Sequence, residues 1–196
     1  MKKDELRRAL IEGTIHTIAE RGLDKTTTKA LSVAAGGCNE VYIYRLFDGK
    51  ENLLSKAFST LDEELLQTTL ELMPLLTEEN KSVRERFWTA FCSLWRFMLN
   101  NKERCIAFIR YYYSPYFERY SAEEHRVRYE GFVEQTRPFF REDAHVWMII
   151  GYIFSVMMDF ATKVFSGSLE DSDDTSEHVF RVVYEGIKQY FKSEQE

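Results

Sequence analysis

Apolar residues recur at three- and four-residue spacing through almost the whole chain, and no stretch alternates apolar with polar positions as a half-buried strand would. A first helix is predicted from about Asp4 to Arg21, with Leu6, Leu10, Ile11, Ile15, Ile18 and Ala19 on one face and Gly22 ending it. A fourth starts near Gly49 and carries Leu53, Leu54, Ala57, Phe58, Leu61 and Leu65 to about Met73, where Pro74 stops it. Ser82 then caps a helix bearing Phe87, Phe91, Leu94, Trp95 and Met98, closed by Asn100-Asn101. The next runs from Lys102 to Ser114-Pro115, and a more highly charged one spans about Ala122 to Phe140. Two closing helices, Glu142 to Ser166 and Ser176 to Lys192, are joined by the acidic loop GSLEDSDDTS, residues 167–176. The expected fold is all-α.

Between the first and fourth helices lies TTKALSVAAGGCNEVYIYRLFDGK, residues 27–50. Thr27 can cap a short helix whose inner face holds Leu31 and Ala34. Gly36-Gly37 breaks it, since glycine alone tolerates positive φ without strain. Asn39 can cap a second short helix, with Ile43 and Phe47 turned inward and Tyr42 and Arg45 outward. Two short helices at a sharp glycine turn, the second with a polar outer face, make a helix-turn-helix of the kind that reads a DNA major groove. Base reading then falls to Asn39, Glu40, Tyr42 and Arg45. Asn39 has capping as its other role. Glu40 can accept from the N4 amine of cytosine or simply complement the helix N-terminus.

In Ala19-Glu20-Arg21-Gly22, Thr27, Ala34-Ala35-Gly36, Ile43-Tyr44-Arg45-Leu46-Phe47 and Lys50-Glu51-Asn52-Leu53-Leu54, the chain resembles the TetR family of bacterial transcriptional regulators. The resemblance covers roughly residues 6–58. It departs from the family pattern at Gly36-Gly37-Cys38, where the family has one glycine followed by an apolar residue, so the turn is one residue longer. The resemblance implies that Tyr44 and Lys50 meet the DNA backbone, with Thr27 and Lys29 as phosphate neighbours. Such contacts set register rather than read sequence. It also implies a division into a DNA-binding head, residues 1–50, and a ligand-binding and dimerisation body, residues 51–196, joined by the long fourth helix.

Charge at first argues against nucleic acid, because the net is −6 and the pI about 5.4. Residues 1–50, however, hold nine Lys/Arg against seven Asp/Glu, and the rest 17 against 25. DNA responds to the field of the contacting face rather than to the total. Cys38, Cys92 and Cys105 show no C-x-x-C spacing, so neither a disulfide framework nor a zinc site is indicated. The N-terminus lacks a signal-peptide core, and Asp159 and Lys163 cut the apolar run from Val146 short of a membrane span. A cytoplasmic protein without membrane attachment is expected.

The last two helices suit a subunit interface through Val146, Ile150, Ile153 and Met157 on one and Phe180, Val183, Tyr184, Ile187 and Phe191 on the other. Completion of a monomer core is the alternative use. The resemblance implies a homodimer through a two-fold four-helix bundle, reading a palindromic double-stranded operator. It further implies a cavity for a small-molecule effector of unknown identity that shifts the separation of the two heads. Phe91, Trp95, Phe108, Tyr112, Tyr129, Phe132, Trp147 and Phe154 are candidate lining, with ordinary core as the other reading. Arg110, His125, His145 and Asp159 are candidate polar anchors.

The expected function is a ligand-responsive DNA-binding regulator, a repressor released by a small molecule. A TetR-like binding module with degenerate DNA binding is one alternative. A di-metal enzyme built on Glu142-x-x-His145 is another, but no second such motif occurs. No catalytic residue, metal or cofactor is expected.

Overall fold

The computed structural model describes residues 2–192. Its elements are helical: α1 Lys3–Arg21, α2 Thr28–Ala34, α3 Val41–Phe47, α4 Lys50–Glu71, α5 Met73–Leu76, α6 Val83–Asn100, α7 Lys102–Tyr112, α8 Pro115–Tyr120, α9 Ala122–Thr136, α10 Val146–Phe165 and α11 Asp173–Ile187. Among the described residues there is no strand, only one antiparallel bridge between Phe140 and Phe191. The expectation of an all-α chain holds.

The chain forms two compact units: residues up to Leu65 with Lys102–Val127, and Leu66–Asn101 with the residues from Arg128 onward. The first unit therefore takes in part of α4, α7 and α8 besides residues 1–50. Phe58 of α4 stacks on Tyr111 at 4.8 Å, lies tilted 5.1 Å from Phe108 and meets Phe117 edge-on at 5.4 Å, which ties α7 and α8 to the first unit. Arg104 on α7 binds Glu64 at 2.5 Å and Glu12 of α1 at 2.8 Å, and the two carboxylates raise its pKa above the ordinary arginine value. Arg110 donates to the carbonyls of Ile18 and Ala19, placing positive charge at the C-terminus of α1. Asp62 is fully buried on α4, and the half-buried His125 Nδ1 lies 2.9 Å from its carboxylate. Arg110 and His125 thus belong to the first unit and do not line the cavity of the second.

All six apolar residues foreseen on α1 are buried. Cys105 faces the same core, where burial pushes its thiol up to about 12. The thiolate is the reactive form, so at pH 8 iodoacetamide should label half-exposed Cys38 well before Cys105. Peptide mass spectra over a labelling time course would show this, and equal rates at the two sites would contradict the burial assigned to Cys105.

In the second unit, α6, α10 and α11 pack together and α5 lies against α6. Ser82 and Glu85 form a reciprocal capping box at the start of α6, and the Ser82 hydroxyl hydrogen bond holds Glu85 below the usual carboxylate range. Pro74 does not merely stop α4: it sits in the first turn of the short α5, where its missing N–H costs nothing. α10 begins at Val146, later than foreseen, because His145 Nδ1 accepts from the Met148 amide as its cap. Glu142 lies before the helix, so Glu142 and His145 do not share a helical face. α11 begins at Asp173, earlier than foreseen, since Ser172 caps it and Asp173 and Asp174 complement its N-terminus.

Asp159 and Lys163 do not shorten α10. They pair across one helical turn on the outside, and the helix continues to Phe165. Its 20 residues are long and apolar enough to cross a bilayer by length and composition alone, a property it shares with core helices of soluble proteins.

Candidate functional site

The helix-turn-helix is α2, the Gly36-Gly37 turn and α3. Thr27 caps α2, its hydroxyl accepting from the Ala30 amide. Leu31 is fully buried, but Ala35 rather than Ala34 completes the inner face, with Ser32 beside it. Both turn glycines adopt positive φ, 88° and 77°, and the Gly37 amide closes onto the Ser32 carbonyl at 3.0 Å. The longer turn is thus held by two left-handed residues in succession, with the Ser32 hydroxyl donating to the Cys38 carbonyl beneath them.

On α3, Ile43 and Phe47 are buried, and Val41, Tyr42, Tyr44 and Arg45 face outward, with Tyr44 60% exposed. Arg7 of α1 fixes this helix from behind, donating to the Leu46 carbonyl at 3.0 Å with its guanidinium 4.7 Å from the Phe47 ring centroid. The Arg45 guanidinium lies 6.0 Å from the Tyr42 ring, so these two side chains share one outer face. Lys29 is exposed on α2, and Lys50 is half-buried at the start of α4, 3.9 Å from Glu51 and 5.9 Å from the Tyr116 ring.

Two residues named for base reading are already engaged. Asn39 Oδ1 accepts from the Val41 amide, and Glu40 accepts from the Thr28 hydroxyl at 2.5 Å. Glu40 occupies the helix-capping position without making a side-chain cap. Val33 and Val41, exposed at 66% and 47%, were not foreseen. Their signal is faint: two valines at otherwise outward positions of short helices.

The second unit encloses a cavity of about 300 Å³. Of the aromatic residues proposed to line it, Phe91, Phe132 and Phe154 do so. Phe108 and Tyr112 belong to the first unit, stacked on each other at 5.6 Å. Trp95 and Tyr129 are buried beside Phe91 and Phe132 without lining the space, and Trp147 is exposed. The lining foreseen too narrowly includes Arg86, Phe87, Phe139 and Phe140. Ile150, Ile153, Met157 and Phe191, expected at a subunit interface, also line it.

The remaining interface expectations meet the same difficulty. Val146, Phe180, Val183 and Ile187 are buried within one chain, and half-buried Tyr184 stacks 5.4 Å from Phe180. The outward faces carry other residues: Trp147, Met148, Gly151 and Tyr152 on α10, Val182 and Gly186 on α11. Tyr152 donates to the Val182 carbonyl at 3.2 Å, and its hydroxyl sits where a side chain on Gly186 would project. Among the described residues no cluster of His, Cys, Asp or Glu has the makings of a metal site.

No family model and no curated protein sequence matches the chain. Solved structures do. A TetR family transcription regulator from Marinobacter aquaeolei VT8 superposes with a TM-score of 0.71 at 19% identity, over 93% of this chain and 95% of that one. A TetR-family transcriptional regulator from Haemophilus influenzae gives 0.61 at 17% identity, over 93% and 96%. A TetR-like transcriptional regulator from Rhodococcus sp. RHA1 gives 0.65 at 13%, again over 93% and 96%. At such identities the likeness is one of fold, and it extends over nearly the whole of each chain. From the helix-turn-helix to the last helix, this chain has the fold of the TetR-family transcription regulators.

Proposed function

We propose that the protein is a homodimeric DNA-binding transcription regulator, a repressor whose affinity for its operator falls when a small molecule occupies the second unit. The observation that carries this reading is the outer face of α3: Val41, Tyr42, Tyr44 and Arg45 stand out from a helix that Ile43 and Phe47 anchor. Tyr44 donates its hydroxyl to phosphate, Lys50 meets the DNA backbone, and Thr27 and Lys29 are phosphate neighbours. Tyr42 and Arg45 read base edges, Val33 and Val41 offer methyl groups to thymine, and Asn39 and Glu40 hold the turn. Effector release is a population shift: the ligand prefers the conformer with lower DNA affinity.

Salt-titrated binding to duplex DNA from upstream of the protein's own gene, with a random duplex as control, tests the reading. Tight binding that favours the upstream duplex and weakens steeply with salt is expected. Equal, salt-insensitive binding to both, persisting after selection from random DNA, would instead make the chain a binding module with a degenerate head. Tyr44→Phe removes one hydrogen bond to phosphate, so affinity should fall about 3- to 10-fold on every sequence alike. Tyr42→Ala should re-rank operator variants. A uniform loss across those variants would place Tyr42 on the backbone instead.

A further inference from the structure

The cavity of the second unit has apolar walls and an uneven polar complement. Leu72, Phe87, Phe91, Phe132, Phe154 and Met157 are among its apolar lining residues. Among the described residues its ionisable lining is Arg86 and Lys192, both cationic, with no carboxylate beside them. Arg86 gives one guanidinium nitrogen to the Leu76 carbonyl at 3.2 Å. Its Nε is buried with no hydrogen-bond partner, an N–H that has lost its water without gaining an acceptor. The Thr136 hydroxyl already donates to the Val133 carbonyl at 2.9 Å, so the charged donors facing an occupant are the Arg86 guanidinium and the Lys192 ammonium, of which Arg86 holds the unmet N–H.

We propose that this cavity binds a compact amphiphilic monoanion, an apolar body with a single carboxylate head that accepts from Arg86. The inference rests on reading the cavity as the effector site but can be tested without DNA. At roughly 30 Å³ for each small unit of liquid volume, the 300 Å³ space takes about ten non-hydrogen atoms. That is a medium-chain fatty acid or a small aromatic acid. A cation of the same shape would meet two positive side chains and, among the described residues, no acid. A neutral alcohol of the same shape would fill the walls but leave the charge-assisted bond unmade.

Calorimetric titration of the full chain with octanoate, 1-octanol and octylamine at neutral pH separates these cases. Octanoate should bind about 10- to 100-fold tighter than 1-octanol, and octylamine weakest of the three. Arg86→Met should remove the octanoate advantage while leaving 1-octanol within about twofold, since the apolar walls are untouched and methionine keeps an apolar stem of similar length. If Arg86→Met fails to give a native circular dichroism melt, Arg86→Lys, which keeps the charge but loses the planar fork, should give an intermediate loss. Octylamine binding as tightly as octanoate would overturn the proposal, as would undiminished octanoate binding by the Arg86 variant or no binding of any of the three. Octanoate binding that leaves DNA affinity unchanged would preserve the proposal and remove the effector reading.

Discussion

Replacing Gly13 with alanine should lower the thermal midpoint by about 2–8 °C, although alanine is the better helix former. Gly13 lies inside α1 where the end of α2 crosses it. A methyl group there would sit 2.8 Å from the Ala34 carbonyl carbon, 2.9 Å from the Ala35 amide nitrogen and 3.0 Å from the Ala34 oxygen. All three are backbone atoms, so relief requires α2 itself to move. Propensity favours alanine by about 1 kcal/mol, whereas overpacking typically costs 1–3 kcal/mol, here near the upper end. The net is roughly 1–2 kcal/mol of destabilisation, at about 2–4 °C per kcal/mol for a chain of this length. Gly131→Ala on α9 is the matched control. Nothing lies within 4 Å of the added methyl, so the midpoint should rise by about 2–4 °C. Because α2 carries the glycine turn and positions α3, Gly13→Ala should also weaken DNA binding by about tenfold, equivalent to about 1.4 kcal/mol. A Gly13→Ala protein that melts above the parent would refute the close crossing of α1 and α2.

Gly13 shows where pattern reading stops. The apolar stripe of α1 was legible because period and burial agree along a helix with one covered face. The need for a missing Cβ arises only from a second element crossing, and no local signal announces it. The inner face of α2 was off by one residue for a related reason: seven residues span barely two turns, too few to fix the phase between Ala34 and Ala35. Glu40 and Asn39 looked equally available for bases and for caps, and only the position of Thr28 across the turn shows where Glu40 is held.

The cavity was less legible still. Aromatic residues at helical spacing line a core and a cavity alike, and which of them meet depends on contacts distant in sequence. Phe108 and Tyr112 fall in the first unit, where α7 packs on Phe58 and Phe117. Arg86 carries no motif. Its meaning comes from a buried nitrogen without an acceptor among apolar walls, which is a property of the fold alone.

The face of α10 was ambiguous because VWMIIGYIFSVMMDF is apolar nearly all round, so that periodicity cannot choose which side meets a partner. The structure removes Val146, Ile150 and Met157 to the inside and leaves Met148 67% exposed between Trp147 and Tyr152. An exposed apolar strip marks a contact surface, and Gly151, with nothing within 4 Å of where a Cβ would stand, allows a second helix to approach closely. Two copies of this strip related by a two-fold would bring together two reading helices for two half-sites. Met148→Glu should therefore give folded monomers by sedimentation velocity, with an unchanged circular dichroism melt. DNA affinity should fall by about 100-fold or more, because the second half-site no longer gains from the first. Val183→Glu provides the contrast: that side chain is fully buried in the protomer, so a charge there should unfold the second unit rather than divide a dimer. Should Met148→Glu sediment as the parent does while still folding, the α10 strip is not the interface, and the two-fold must be sought on another face.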